Sequence, residues 1–329
     1  MKIAAFGEIM LRLMVPEHKL LNQSDQLVSL YSGTGMNIVA QLSKWGYHCY
    51  LVSSVPKNNI GKAASSKVRS LGIDDQYINY QHDGIGLYFL ETGYGARPSV
   101  VTYMGRKNSS FSLSKKEDYR IDEIVKKIDV LHICGIVLAL NDDVRETAIA
   151  FVKKAKELGV LVCFDFNYRS SVWSNPSYQY AKSQYERILP YCDIVFAGQK
   201  DAELILGIKE ATMEETMRKM IDRYQIKVIA GTFRNGNDNE RYYQGFLIND
   251  QGYYQSDSYK LEVYDRIGAG DGFAAGIIDG IIKKENPKKI VEYATASAVL
   301  AHTIYGDSPL VEKEDVERLL NHQQIDILR

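Results

Sequence analysis

Between Asp143 and Phe164 the chain spells out one unit whose period restricts the fold it can adopt. Val144, Ala148, Phe151, Val152, Ala155 and Leu158 recur at helical spacing and predict one apolar face. Asp143 and Glu146 stand three apart ahead of that face, the spacing of a capping box, and Gly159 is placed to end the helix. Val160-Leu161-Val162-Cys163-Phe164 then runs apolar without a break, as a strand covered on both faces does. Asp193-Ile194-Val195-Phe196 and Lys227-Val228-Ile229-Ala230 repeat the run, each after a helical stretch. Such alternation lays strands down in parallel, because each helix returns the chain to the same end of the sheet. The expected fold class is therefore α/β, a three-layer α/β/α sandwich around a mainly parallel sheet. Ligands of such sheets collect at the carboxyl ends of the strands.

The stretch Asp265-Arg266-Ile267-Gly268-Ala269-Gly270-Asp271-Gly272 carries the strongest chemical signal. Small residues run directly into an acid, and Phe273, Ile277, Ile278, Ile281 and Ile282 follow at helical spacing. Gly268 and Gly270 let backbone amides approach an anion, and a helix start adds unpaired N–H groups and a positive dipole end. Asp271 would repel that anion unless it serves a second reactant, taking the proton of a hydroxyl that attacks a phosphate. Taken alone, the segment fits an ordinary strand-to-helix turn with an acid in its first turn equally well. No Lys-Ser or Lys-Thr follows the glycines, so it is not a Walker loop, and it lies too far along the chain for a dinucleotide fingerprint.

Composition narrows the partners. Lys and Arg number 40 against 41 Asp and Glu in 329 residues, with no basic block, so nucleic acid is not an expected partner. No apolar run is long enough to cross a membrane, and Met1-Lys2 leads straight into the apolar Ile3-Ala4-Ala5-Phe6, so a cytoplasmic protein without a signal peptide is expected. Cys49, Cys134, Cys163 and Cys192 are widely spaced in apolar settings and are expected to be buried free thiols.

The 265–271 segment resembles the Asp-x-x-Gly-Ala-Gly-Asp signature of the ribokinase-like (PfkB) carbohydrate kinases. Ser32-Gly33-Thr34-Gly35-Met36-Asn37-Ile38-Val39-Ala40 is similar to that family's Gly-Gly-x-x-x-Asn-x-Ala element, with Ser32 in place of the first glycine. The resemblance implies a ribokinase-like core over 1–13, 31–84 and 113–329, and a small β-lid over the sugar site from 14–30 and 85–112. It implies Asp271 as general base and Gly268, Ala269 and Gly270 as an anion hole. Gly33 and Asn37 are expected at the sugar, Gly231, Thr232 and Ala298 at ATP together with Gly268 and Gly270, and Asp265 beside a potassium-type cation. Tyr88, Tyr94 and Tyr103 on the ribbons fit core packing or a subunit contact equally well, and the strand edges of the lid invite a homo-oligomer.

Two arginines point to an acidic sugar. Arg169 lies just past a strand end in Asp165-Phe166-Asn167-Tyr168-Arg169, and Arg106 lies on the expected lid; either alone would fit a surface ion pair. The Asp-x-Asn-Tyr-Arg-x-x-x-Trp element is similar to that of the family's 2-keto-3-deoxygluconate kinases, and Tyr88, Tyr103, Arg106, Arg169 and Asp307 match substrate-contacting positions there. The implied activity is ATP-dependent phosphorylation of 2-keto-3-deoxygluconate at O6, with Mg2+ arriving on ATP. The alternatives are a fructokinase or related keto-sugar kinase, and a catalytically idle sugar-acid sensor. Three further positions depart from the family, the first being Gly105, an extra residue between Tyr103 and Arg106. Arg12 stands where ribokinase-type members carry a sugar-binding Asp, and the Asn-x-x-Glu motif falls at Gly198-Gln199-Lys200-Asp201, leaving Asp201 either as a magnesium-organising acid acting through water or as a solvated acid in a helix's first turn.

Overall fold

The computed structural model describes residues 1–236 and 241–322. Among these, ten strands form a large sheet: β1 (Lys2–Phe6), β4 (His48–Val55), β5 (Ile78–Tyr80), β8 (Val130–Cys134), β9 (Leu161–Asp165), β10 (Ile194–Phe196), β11 (Val228–Gly236), β12 (Arg241–Asn249), β13 (Gly252–Gln255) and β14 (Tyr259–Lys260). Four more, β2 (Met10–Met14), β3 (Val28–Ser32), β6 (Gly86–Glu91) and β7 (Val100–Met104), form a small sheet. The large sheet runs β13-β12-β11-β10-β9-β8-β1-β4-β5, with β14 also beside β12. Every neighbouring pair from β11 to β5 is parallel, and only the pairings of β12 are antiparallel. The mainly parallel α/β sandwich expected from the alternation is therefore present.

The period-two geometry of a strand divides the core in two. Ala4 and Phe6 of β1 face a cluster that includes Phe151, Phe164 and Val195, while Ile3 and Ala5 face another built on Leu51, Ile278 and Ala294. The helix read from its apolar face spans Asp142–Glu157, but its cap is Asn141, whose side chain accepts the Val144 N–H at 2.9 Å. Asp143 lies inside the first turn, where the dipole favours an acid, so the expected capping box is replaced by a cap two residues earlier. Leu158 is 45% exposed, because the chain has already left the helical face at this C-cap position; Gly159, at a φ of 69°, makes the turn.

The small sheet begins earlier than residue 14. Met10–Met14 alternates buried and half-buried residues and pairs with β3 on one side and β6 on the other, so it belongs to the small sheet and not to the 1–13 core segment. Residues 105–112 contribute turns and no strand. Met10, Met14, Tyr88 and Leu90 make its own apolar cluster.

Candidate active site

The carboxyl ends of β1, β8, β9 and β10 open toward two helix starts. The first helix, α1 (Thr34–Lys44), follows β3; the second, α2 (Ala269–Ile282), follows the glycine turn. Gly268 caps α2 with a φ of 90°, and a Cβ there would collide with the Asp307 carbonyl, so glycine is required twice over. Around Gly270 the situation is reversed: no heavy atom lies within 4 Å of where its Cβ would be, which leaves the helix start open to an anion. Gly33 is a glycine for an internal reason, since a Cβ would strike the Glu8 carbonyl oxygen.

Asp271 is buried in the first turn of α2, and its Oδ2 accepts from Asn37 Nδ2 at 2.7 Å; Asn37 Oδ1 in turn accepts from Ser308 at 3.2 Å. Burial holds the Asp271 carboxyl well above its ordinary range, with Asp165 and Asp307 adding to the rise and the Asn37 hydrogen bond and Arg169 opposing it. The two expected motifs thus meet at one carboxylate, one supplying the acid and the other the amide that orients it.

On the small-sheet side stands a charged network. The buried guanidinium of Arg12 pairs with Asp265 at 2.8 Å and with Asp307, and the Tyr88 hydroxyl donates to the other Asp307 oxygen. Asp265, expected beside a monovalent cation, thus carries Arg12 and also accepts the N–H groups of Ile267 and Gly306. Arg106 is buried too: its Nε donates to Glu8 at 2.7 Å, its guanidinium lies 5.2 Å from the centre of the Tyr103 ring, and its Nη1 has no partner. Arg169 is exposed, at the open side of the acids it influences, Asp271, Asp165 and Asp201.

Glu8 and Asp165 were not singled out from the sequence. Glu8 also accepts from Ser109 at 2.8 Å and so holds the turn that carries Arg106. Asp165 ends β9, and burial together with the neighbouring Asp201 pushes its carboxyl up to about 7. Asp165 is the last residue of its strand and Glu8 lies two residues past the end of β1, and an acid at a strand's carboxyl end is the signal that marks them. Asp201 is half-buried, and its Oδ2 accepts the Gly198 N–H at 2.8 Å.

The family model described as pfkB family carbohydrate kinase matches residues 1–314. The chain belongs to the pfkB family of carbohydrate kinases. Among known proteins it is similar to the 2-dehydro-3-deoxygalactonokinase of Haloferax volcanii, 27% identical over 320 residues and covering 97% of this chain and 96% of that one. A solved structure from Enterococcus faecalis, provisionally described as a 2-keto-3-deoxygluconate kinase, is 41% identical with a TM-score of 0.96, covering 100% of this chain and 98% of the other. The 2-dehydro-3-deoxygluconokinase of Thermotoga maritima is 32% identical with a TM-score of 0.93, over 98% of each chain.

Two cavities flank β11 and β12 of this pfkB-family kinase. The larger, about 640 Å³, lies at the amino end of β11 among Arg218, Lys227 and Asn249, away from every group above, so volume does not mark the site. The smaller, about 340 Å³, lies beside the anion turn and is lined by Arg234, Arg241, Arg266, Leu261, Val263 and His302. Partial burial and repulsion from Arg241 and Arg234 lower the Arg266 pKa. Ala298, expected at ATP, is fully buried, because its helix, α3 (Pro287–Ala301), turns that face onto the core; His302, one turn on, reaches the cavity instead. Gly231 leaves no room for a Cβ against Ala197 and Phe246, and Thr232 is half-buried beside it. No helix of the described residues is long and apolar enough to cross a membrane.

Proposed function

We propose that this kinase transfers the γ-phosphoryl group of ATP to the 6-hydroxyl of 2-keto-3-deoxygluconate, giving 2-keto-3-deoxy-6-phosphogluconate. The observation that carries it is the buried Asp271, oriented by Asn37 at the mouth of an open anion turn, with Arg169 near enough to oppose the rise in its pKa. The names of the three relatives, each a ketodeoxy sugar-acid kinase, point the same way.

In this mechanism Asp271 accepts the O6 proton as the hydroxyl attacks, and a carboxyl with a raised pKa is the better base for it. The amides of Gly268, Ala269, Gly270 and Asp271 face the charge on the transferred phosphoryl oxygens. Arg106, with one buried nitrogen unpartnered, and Tyr103 and Tyr88 receive the sugar acid; Arg169 spans the carboxylate and phosphate sides. The triphosphate and base of ATP occupy the cavity among Arg234, Arg241, Arg266 and His302.

Among the described residues no group of three His, Cys, Asp or Glu side chains could hold a metal ion by itself. Asp165 and Asp201, each raised by burial and with Asp201 raising Asp165 further, fit a divalent cation held through water. Magnesium held there with ATP would neutralise triphosphate charge. Asp265 as a potassium contact stays part of the proposal, tested by comparing activity in potassium and in a large organic cation.

The edge strand β7 exposes Val100, Val101 and Met104, and we assign this edge of the small sheet to a second copy of the chain. Sedimentation of Val101→Asp against the parent tests this, with monomer expected for the variant. For substrate, ADP release is measured against 2-keto-3-deoxygluconate, its galacto epimer, fructose and ribose. The keto-acid pair should be the best substrates; faster turnover of neutral fructose would replace this reading with a fructokinase, and sugar binding without ADP would leave a sensor.

A further inference from the structure

Arg12 has the largest side chain among the fully buried residues described. It sits at the middle of β2, opposite Leu30 of β3 and Tyr88 of β6, yet neither of its acidic partners belongs to the small sheet. Asp265 heads the anion turn and accepts the Ile267 N–H at 3.2 Å, while the Asp307 carbonyl lies against Gly268. Tyr88 closes the ring by donating to Asp307, and its oxygen lies 3.2 Å from Ser32 Oγ at the end of β3. Ile267, between Asp265 and Gly268, packs on Met10, Met14, Tyr88 and Leu90.

A buried charge is a weak source of net stability, because desolvation cancels most of the attraction. Geometry is what a guanidinium adds: its planar fork fixes both acids relative to each other and to β2, which an ammonium cannot do. We propose that Arg12 is a positioning residue that locks the small sheet to the anion turn, so that one side chain sets both the wall facing the sugar and the amides facing the phosphoryl group. The proposal rests on the phosphoryl-transfer reading. With the lock in place the sheet excludes water from the turn; without it, ATP still binds but transfer slows and water competes as acceptor.

The test uses Arg12→Lys, which keeps the charge and loses the fork. We expect kcat about ten- to a hundred-fold lower, an unchanged KM for ATP, and a larger share of ADP formed without sugar phosphate. Combined with Asp265→Asn the losses should not add, since both break the same lock. A folded Arg12→Lys enzyme with parental kcat and parental coupling of ADP to sugar phosphate overturns the proposal, as does full additivity. Where Arg12→Lys does not fold, Asp265→Asn, of nearly unchanged shape, carries the same kinetic test. Hydrogen exchange needs no turnover: either variant should speed exchange in β2 and at Ile267 and Gly268 together, and a change confined to β2 rejects the lock. A parent protein that phosphorylates no sugar acid sinks the kinase reading, and the exchange result still decides the role of Arg12.

Discussion

In the large sheet, the basic side chain buried at its middle is His132 on β8, with neither ring nitrogen hydrogen-bonded, and burial pushes it down to about 3, so it sits there uncharged. The small sheet and the turn after it bury two full cations, Arg12 and Arg106, and each finds its acid outside that unit: Asp265 and Asp307 for one, Glu8 for the other. Where the large sheet buries a charge, at Asp193 just before β10, it pairs it with Lys156 and Lys227 of its own region. The small sheet closes by ion pairs across to its neighbour, so its charges are joints between regions.

That contrast assigns chemistry to the large region and selection to the small one, and the largest test is Asp271→Asn. We expect kcat to fall by about 10²–10⁴-fold with little change in the KM for either substrate. The folded-state pKa of Asp271 is raised, so its ionised form favours unfolding: that penalty is absent at low pH and grows as pH rises through the folded pKa. The Asn variant should therefore melt no lower than the parent near neutral pH. For the same reason the acid limb of kcat/KM should lie above the usual carboxylate range. Asn37→Ala, which removes a bond that lowers this pKa, should move the limb higher still.

Next in size, Arg106→Ala should raise the KM for the sugar acid about ten- to a hundred-fold, the worth of a charged hydrogen bond in a closed site. Arg169→Ala should also lower kcat. Equal losses on a neutral sugar would show that Arg106 merely props the sheet through Glu8, and selection would then lie elsewhere.

Asp201→Ala should raise the magnesium needed for half activity about ten-fold, with a smaller effect on the sugar. An unchanged magnesium curve with a lower Tm would leave the residue as a local support for Gly198. The smallest effect concerns stability. Because the folded His132 pKa is depressed, its contribution is present above pH 6.5 and lost as pH falls from there toward 3. His132→Leu should flatten the fall of Tm over that window, where one such group contributes about 1.4 kcal/mol per pH unit. A slope identical to the parent's would mean the ring is charged in the folded state.

The parallel sheet and the glycine turn at the start of α2 were legible because each is written locally: apolar runs between helical faces, and Gly268 to Asp271 in a row. Asn37 was legible through its own short motif. What stayed hidden is what only tertiary approach creates. Nothing around Arg12 foretells that Asp265 and Asp307 will flank it, and Glu8 gains meaning only when Arg106 and Ser109 fold over it. Ala298 misled for the opposite reason, since a small apolar residue looks alike in a pocket and in a helix–helix seam. The start of the small sheet was misjudged because Met10–Met14, with one charged residue among apolar ones, shows no exposed face in sequence.

The pairing of β2 with β6 has a consequence for how the molecule is made. Met10 lies beside Gly86 in parallel register, and β1, β4, β5 and the helix α1 are built from the chain near and between them. Closing so long a loop on two short strands is slow until the intervening chain has collapsed. The β2–β6 pairing is therefore expected to close late, on a finished parallel sheet, while β2 can pair with β3 as soon as that strand has emerged. In a pulse of hydrogen exchange during refolding, the amides of β1, β4 and β8 should be protected first and those that join β2 to β6 last, together with the turn at Gly268: the machinery that moves phosphate is completed by the part of the chain that folds last.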